Sequence, residues 1–129
     1  MTIVVGYNST DEGEAAFEAA IAHAKLTGEK LLVLNTTRGD RLVDERFALE
    51  DELASVDERL EAAGVDHEIL QPMRGHDPAD EILELAEKRN ASLIVIGLRK
   101  RSPVGKLLMG STAQRILLQA ESPVLAVKA

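Results

Sequence analysis

Short apolar runs alternate with longer amphipathic segments along this chain. Four runs of mainly apolar residues, typical of strands buried on both faces, lie at 2–7, 31–34, 93–96 and 123–127. A fifth run, 65–71, mixes polar and apolar residues before Pro72, which favours a strand at the edge of a sheet. Between these runs, apolar residues recur every three or four positions. This spacing predicts four helices.

Capping signals mark the ends of the predicted helices. Ser9 and Glu12 resemble the two ends of a capping box at the start of the first helix. Gly28 and Gly64 follow the first and second helices, where glycine is typical of a helix end. Asp77 precedes a proline at the first position of the third helix, a common combination of cap and first residue.

The alternation of strands and helices predicts an α/β fold in one domain, residues 1–129. Continuous apolar strands indicate a five-stranded parallel sheet with helices on both faces. Right-handed crossovers favour the strand order 3-2-1-4-5, and the winding reverses between the first and fourth strands. Ligands of such sheets bind beyond the carboxyl ends of the strands at this point. We therefore expect a site between residues 7–10 and Gly97.

A basic loop and a helix start follow the fourth strand. The loop at 98–109 has no acidic residue, although the chain carries a net charge of -7. It contains four cations: Arg99, Lys100, Arg101 and Lys106. Gly110, Ser111 and Thr112 then open the last helix. Because the unpaired N–H groups and the dipole at a helix N-terminus both attract anions, this arrangement predicts a phosphate site.

Composition excludes several classes of function. The chain has no cysteine, and its histidines (His23, His67 and His76) lie in separate segments without metal-ligand spacing, so we expect no metal site. The acidic balance and the scarcity of aromatic residues argue against nucleic-acid binding. The first residues show no basic n-region or cleavage site, so we expect no signal sequence, and no apolar stretch approaches the ~18 residues that a membrane span needs. We expect a cytoplasmic protein that does not bind membranes.

No catalytic constellation is recognisable. No nucleophile-elbow pattern surrounds a serine, and no Ser-His-Asp set can be assigned. Lys106 is followed by Leu107 rather than by the Ser or Thr of a P-loop. We expect a protein without dedicated catalytic residues, capable at most of slow hydrolysis of a bound nucleotide through positioning and charge neutralisation.

These residues resemble the universal stress protein family over essentially the whole chain. Its nucleotide-binding members carry a glycine, two residues, a second glycine, nine residues, and then Gly-Ser or Gly-Thr. Gly97 and Gly110 with Ser111 match this pattern, whereas Lys100 stands at the second glycine. The family's first strand usually ends in an aspartate that faces the nucleotide and its metal. Asn8 stands there in this chain.

The resemblance implies a Rossmann-like fold, similar to that of adenine nucleotide α-hydrolases, and a stress-response regulatory role. It also implies that ATP or a related adenine nucleotide binds. The expected binding residues are Asn8, Thr10, Thr36, Gly97, Arg99, Lys100, Gly110, Ser111 and Thr112. The Lys100 ammonium can contact phosphates directly. Because a neutral amide oxygen binds Mg²⁺ more weakly than a carboxylate, we expect Asn8 to reduce the dependence on Mg²⁺.

Purely structural roles remain open for the same residues. Ser111 with Gln114 fits a second capping box, Asn8 and Thr10 can cap the first helix, and Gly97 can end a strand. Thr36 can be an ordinary strand-end residue, and the basic loop can simply be solvated. The alternative function is a nucleotide-independent dimeric adaptor whose basic loop binds another protein or a small anion.

The last strand predicts a homodimer. Its apolar residues Val124, Leu125, Ala126 and Val127 would form an exposed sheet edge, which favours pairing with a second copy about a two-fold axis. The alternative is an edge that a helix shields. The family resemblance also implies a dimer joined through the last strand.

Overall fold

Helices and strands alternate throughout the described part of the chain. The computed structural model describes residues 1–36, 43–71, 77–98 and 110–129, and for 43–52 it describes the backbone alone. The elements are β1 (Thr2–Tyr7), α1 (Asp11–Thr27), β2 (Lys30–Asn35), α2 (Val43–Ala63), β3 (His67–Leu70), α3 (Pro78–Lys88), β4 (Ala91–Leu98), α4 (Ser111–Gln119) and β5 (Val124–Lys128). Within these residues, no helix is both long and apolar enough to span a bilayer.

All five strands form one parallel sheet. Their order is β3-β2-β1-β4-β5, which confirms the predicted topology. β3 lies at one edge, as its mixed polarity predicted, and β5 lies at the other. Because β1 and β4 are neighbours, the winding of the chain reverses between their carboxyl ends, where ligands of such sheets bind.

Two apolar cores cover the two faces of the sheet. Alternate residues of a strand point to opposite faces. Ile3 and Val5 accordingly contribute to a core with α1 and α2, whereas Val4 contributes to a second core with α3 and α4. Val4 and Val5 are both fully buried, which explains why β1 is a continuous apolar run.

The caps of α1 and α3 differ from the predictions in one detail. Thr10, not Ser9, is the N-cap of α1, and its hydroxyl accepts a hydrogen bond from the Gly13 N–H at 3.1 Å. Ser9 lies one residue too early to reach that amide. Asp77 caps α3 as expected, accepting from the Ala79 N–H at 2.8 Å. Gly28 ends α1 with a φ of 74°, which glycine adopts without steric cost.

Arg59 links α2 to α1. Its guanidinium forms ion pairs with Glu14, at 2.8 Å, and with Glu18, and it lies 4.6 Å from the centre of the Phe17 ring. Partial burial alone would lower the pKa of Arg59, but the hydrogen bonds and charges of the two glutamates raise it above its usual value. The charged guanidinium therefore holds the two helices together on one face of the sheet.

Candidate functional site

A cavity of about 540 Å³ lies at the carboxyl edge of the sheet, where the ends of β1 and β4 meet. It is surrounded by β1, β4 and the first turns of α1, α3 and α4. Seven predicted binding residues line it: Asn8, Thr10, Thr36, Gly97, Gly110, Ser111 and Thr112. The other two, Arg99 and Lys100, lie outside the described residues. The site expected from the topology and the site expected from the motif therefore coincide at this cavity.

The N-terminus of α4 lines this cavity, and no side chain of the described residues caps it. Gly110 is the N-cap residue, with φ -65° and ψ 158°, and Ser111 is already the first residue of the helix. The predicted capping box of Ser111 and Gln114 is therefore wrong, because the serine hydroxyl lies one position too late to accept from the third amide. The Gln114 N–H donates to the Gly110 carbonyl at 3.0 Å, which closes the first turn.

This uncapped start leaves backbone donors at the cavity. The amides of Ser111, Thr112 and Ala113 precede the first intrahelical donor and have no acceptor among the described residues. The corresponding amides of α1 and α3 are satisfied in part by Thr10 and Asp77. The positive end of the α4 dipole reinforces these donors, so an anionic group in the cavity would be stabilised there.

Asn8 and Thr10 form a short hydrogen-bonded chain beside the cavity. The Gly13 N–H donates to the Thr10 hydroxyl, which in turn donates to the Asn8 side-chain oxygen. Thr10 therefore caps α1, whereas Asn8 acts on the helix only through Thr10. Because both residues also line the cavity, the structural and the binding roles are compatible.

Gly13 allows this tight turn, and sequence reasoning missed it. A Cβ at this position would overlap the backbone and side-chain oxygens of Asn8, well inside the 3.0 Å that real Cβ atoms respect. The available signal was a glycine within the first turn of a helix, where glycine lowers helix stability. Such a position indicates a close backbone approach.

Gly97 has a packing role of the same kind. It lies within β4, which continues to Leu98, so the alternative that Gly97 ends the strand is wrong. It pairs with Val127 of β5, and a Cβ on it would overlap the carbonyl oxygen of Glu12. The first turn of α1 can therefore pack directly on β4, and this packing positions the wall of the cavity that Asn8 and Thr10 form.

Thr36 ties the ends of two strands together. Its N–H and its hydroxyl both donate to the Tyr7 carbonyl, at 2.7 and 3.0 Å. Since Tyr7 ends β1 and Thr36 follows β2, these two bonds hold the strand ends in register beside the cavity. Thr36 is therefore more than an ordinary strand-end residue, and it also lines the cavity.

An apolar wall completes the cavity. It is formed by Ile82 of α3, Ile96 of β4 and Ile116 of α4, all buried. Ile82 and Ile116 also pack in the second core, as the apolar spacing typical of a core-facing helix side requires. Their place at the site follows from topology, because α3 and α4 both begin at the carboxyl edge of the sheet.

The profile of the universal stress protein family matches residues 1–128 of this chain. The chain belongs to the universal stress protein family. This universal stress protein is 50% identical over 126 residues to a universal stress protein of Mycolicibacterium smegmatis, across 98% of this chain and 96% of the relative.

Solved structures of universal stress proteins share its Rossmann-like fold. One from Archaeoglobus fulgidus has 33% sequence identity and a TM-score of 0.82, with coverage of 99% of this chain and 98% of the other. A second structure from Archaeoglobus fulgidus has 26% identity and a TM-score of 0.72, with coverage of 99% and 98%. This second protein is in complex with dAMP.

Proposed function

We propose that this universal stress protein binds an adenine nucleotide, with ATP the expected ligand, as part of a stress-response regulatory role. The observation that carries the proposal is the N-terminus of α4, where Ser111, Thr112 and Ala113 line the cavity and their amides have no acceptor among the described residues. The dAMP complex of a relative with 26% identity supports an adenine nucleotide rather than another phosphate compound.

The phosphates bind at the start of α4. At one end of the cavity, donors come from three backbone amides and from the hydroxyls of Ser111 and Thr112. The positive end of the helix dipole adds to their attraction for an anion. Hydrogen bonds to a charged acceptor contribute about 1.5–3 kcal/mol each. Arg99 and Lys100 follow β4 directly in the sequence, and we assign them to the neutralisation of further phosphate charge.

The nucleoside occupies the remainder of the cavity. A volume of about 540 Å³ lies within the range of small-molecule sites, roughly 300–1,000 Å³. The buried wall of Ile82, Ile96 and Ile116 offers apolar contact, and the Thr10 hydroxyl and the Asn8 amide offer polar contact. A mixed lining of this kind suits a base and a sugar.

We propose that Mg²⁺ contributes little to nucleotide binding. The Asn8 oxygen carries no formal charge and already accepts a hydrogen bond from Thr10, which makes it a poor ligand for a hard cation. Coordination of Mg²⁺ through Asn8 would compete with the cap of α1. ATP binding therefore requires mainly the α4 amides and the basic residues.

We propose that the bound nucleotide is held rather than turned over rapidly. Glu12 is the one ionisable side chain among the described residues that line the cavity. Neither a histidine nor a lysine accompanies it in that described lining, so no pair of groups suggests acid–base catalysis. Slow hydrolysis by positioning alone is compatible with this site.

We also propose a cytoplasmic homodimer that pairs through β5. Within the described sheet, β5 is bonded on one side, to β4, and its residues Val124 to Val127 are only half buried. An edge of this kind is covered at little cost when two copies pair about a two-fold axis. The cysteine-free sequence suits a cytoplasmic location.

Isothermal titration of the purified protein with ATP, ADP, AMP and GTP tests the proposed function. We expect saturable binding of the adenine nucleotides at a stoichiometry of one per chain, and weaker binding of GTP. Native mass spectrometry of the freshly purified protein is expected to detect co-purified adenine nucleotide. An absence of binding up to millimolar ATP, ADP and AMP would contradict the proposal and favour the nucleotide-independent adaptor.

A further inference from the structure

Three potential metal ligands meet at the end of the sheet opposite the cavity. Asp57 and Glu61 lie near the end of α2, and His67 is the first residue of β3. One oxygen of each carboxylate and one ring nitrogen of His67 all lie within 4.8 Å of one another. The imidazole is 9% exposed, whereas Asp57 and Glu61 are 55% and 73% exposed. A largely buried imidazole thus faces two accessible carboxylates.

The backbone fixes the orientation of the imidazole. Nδ1 of His67 lies 2.8 Å from the Val65 carbonyl oxygen, which can only accept a hydrogen bond. Nδ1 therefore carries a hydrogen, and in the neutral ring Nε2 presents its lone pair to the carboxylates. Histidines that bind metal ions almost always donate their other ring N–H in this way, to a carbonyl or a carboxylate.

A proton on Nε2 can form a hydrogen bond with only one of the two carboxylates. Nε2 lies 2.6 Å from Asp57 Oδ1, a hydrogen-bond distance, but 4.0 Å from Glu61 Oε1. Asp57 and Glu61 are four residues apart, so they lie on one face of α2, where like charges repel. A protonated imidazole leaves the three groups with one net negative charge, whereas a neutral imidazole with a dication leaves them neutral.

We propose that Asp57, Glu61 and His67 bind a divalent transition-metal ion of the zinc class. Tetrahedral bonds of about 2.0–2.2 Å place ligand atoms roughly 3.3–3.6 Å apart. Asp57 must move away from His67, and Glu61 toward it, each by less than about 1 Å, which exposed side chains accomplish by rotation. One imidazole and two carboxylates suit Zn²⁺ or Co²⁺, whereas Mg²⁺ and Ca²⁺ prefer ligand sets made of oxygen atoms alone.

The proposed metal would fasten α2 to the edge strand β3. The sequence did not indicate this site, because the ligands follow no common metal-binding spacing and the fold brings His67 to α2. This proposal departs from the expectation of no metal site, which rested on the spacing between histidines. It is independent of nucleotide binding, which takes place at the other end of the strands.

Titration of the full-length, tag-free, EDTA-treated protein with Zn²⁺ and with Co²⁺ tests the proposal. In separate titrations, we expect each chain to bind one Zn²⁺ or one Co²⁺. The Co²⁺ complex is expected to show the visible absorption bands of a site with low coordination number. Glu61→Gln and Asp57→Asn should each weaken Zn²⁺ binding by about tenfold or more, by analogy with losses at metal-site partners. Glu61→Gln is the cleaner variant, because Glu61 makes no hydrogen bond within the cluster and its loss leaves the His67–Asp57 pair intact.

Glu58→Gln is the matched control. Glu58 is exposed on the same helix and carries the same charge, but it does not belong to the cluster, so its substitution should leave Zn²⁺ affinity unchanged. The proposal is overturned if millimolar Zn²⁺ does not bind, if Glu61→Gln binds like the wild type, or if Glu58→Gln weakens binding as much as Glu61→Gln. Because ATP titration of the same variants reports on the other site, failure of one proposal is distinguishable from failure of the other.

Discussion

Ser111→Pro removes a proposed phosphate donor at a position where proline fits the fold. Ser111 is the first residue of α4, and proline is favoured there because its missing N–H would have no intrahelical partner. The preceding residue, Gly110, has the extended backbone (φ -65°, ψ 158°) that a residue before proline requires. The substitution therefore deletes one amide donor and one hydroxyl without breaking a described hydrogen bond.

The expected effects on stability and on binding have opposite signs. Proline in a compatible conformation restricts the unfolded chain and stabilises a protein by about 0.4–1 kcal/mol. Loss of one hydrogen bond to a charged phosphate costs about 1.5–3 kcal/mol of binding free energy. Since each 1.4 kcal/mol corresponds to about tenfold in affinity, loss of the amide alone weakens ATP binding roughly 10- to 150-fold. We expect Ser111→Pro, which also lacks the hydroxyl, to weaken binding by at least about tenfold.

Isothermal titration and thermal unfolding of three proteins separate the contributions. Ser111→Ala keeps the N–H and loses only the hydroxyl, so it should bind ATP more tightly than Ser111→Pro. Both variants should unfold at or slightly above the wild-type temperature. If Ser111→Pro is folded and binds ATP as tightly as the wild type, the α4 amide is not a phosphate donor and the reasoning is refuted.

Three further predictions concern Gly97, Asn8 and the exposed edge of β5. Gly97→Ala should lower the free energy of unfolding by about 1–3 kcal/mol, because its Cβ overlaps the Glu12 carbonyl, and Tm should fall by roughly 3–15 °C. Gly110→Ala, whose Cβ meets no atom of the described residues within 4 Å, should be destabilised less than Gly97→Ala in the same calorimetric scan. Equal destabilisation of the two variants would contradict the packing role of Gly97. Replacing Mg²⁺ by EDTA should change the Kd for ATP less than about threefold in the wild type, whereas Asn8→Asp should make binding depend on Mg²⁺; identical responses of the two proteins would refute the role of Asn8. Light scattering should give a mass near twice 14.0 kDa, and a monomer at micromolar concentration would exclude pairing through β5.

The fold could be predicted because its determinants are local. Runs of buried apolar residues define the strands, and Gly28, Asp77 and the residues around Thr10 mark helix ends by short-range hydrogen bonds. Parallel pairing and right-handed crossovers then restrict the strand order. The error at Ser9 was a shift of one position, which sequence patterns alone do not resolve.

The site was predicted only in part, because its details depend on tertiary contacts. Asn8, Thr36 and Gly97 were expected at the site from the topology and the family resemblance, but the overlap of a Cβ at Gly13 with the oxygens of Asn8 is visible only once the path of the chain from Asn8 into α1 is known. The uncapped state of α4 likewise depends on the backbone of Gly110, which the pattern around Ser111 did not reveal. The binding roles of the seven residues that line the cavity, and those of Arg99 and Lys100, remain predictions.

The most direct test of the central claim is the amide NMR spectrum of the uniformly ¹⁵N-labelled protein during titration with ATP. We predict that the largest chemical-shift changes occur in the amide signals of Ser111, Thr112 and Ala113, with saturation at one ATP per chain. Amide signals from the opposite end of the sheet, such as that of His67, should not shift. Unchanged Ser111, Thr112 and Ala113 signals at millimolar ATP would show that the start of α4 does not receive the phosphates.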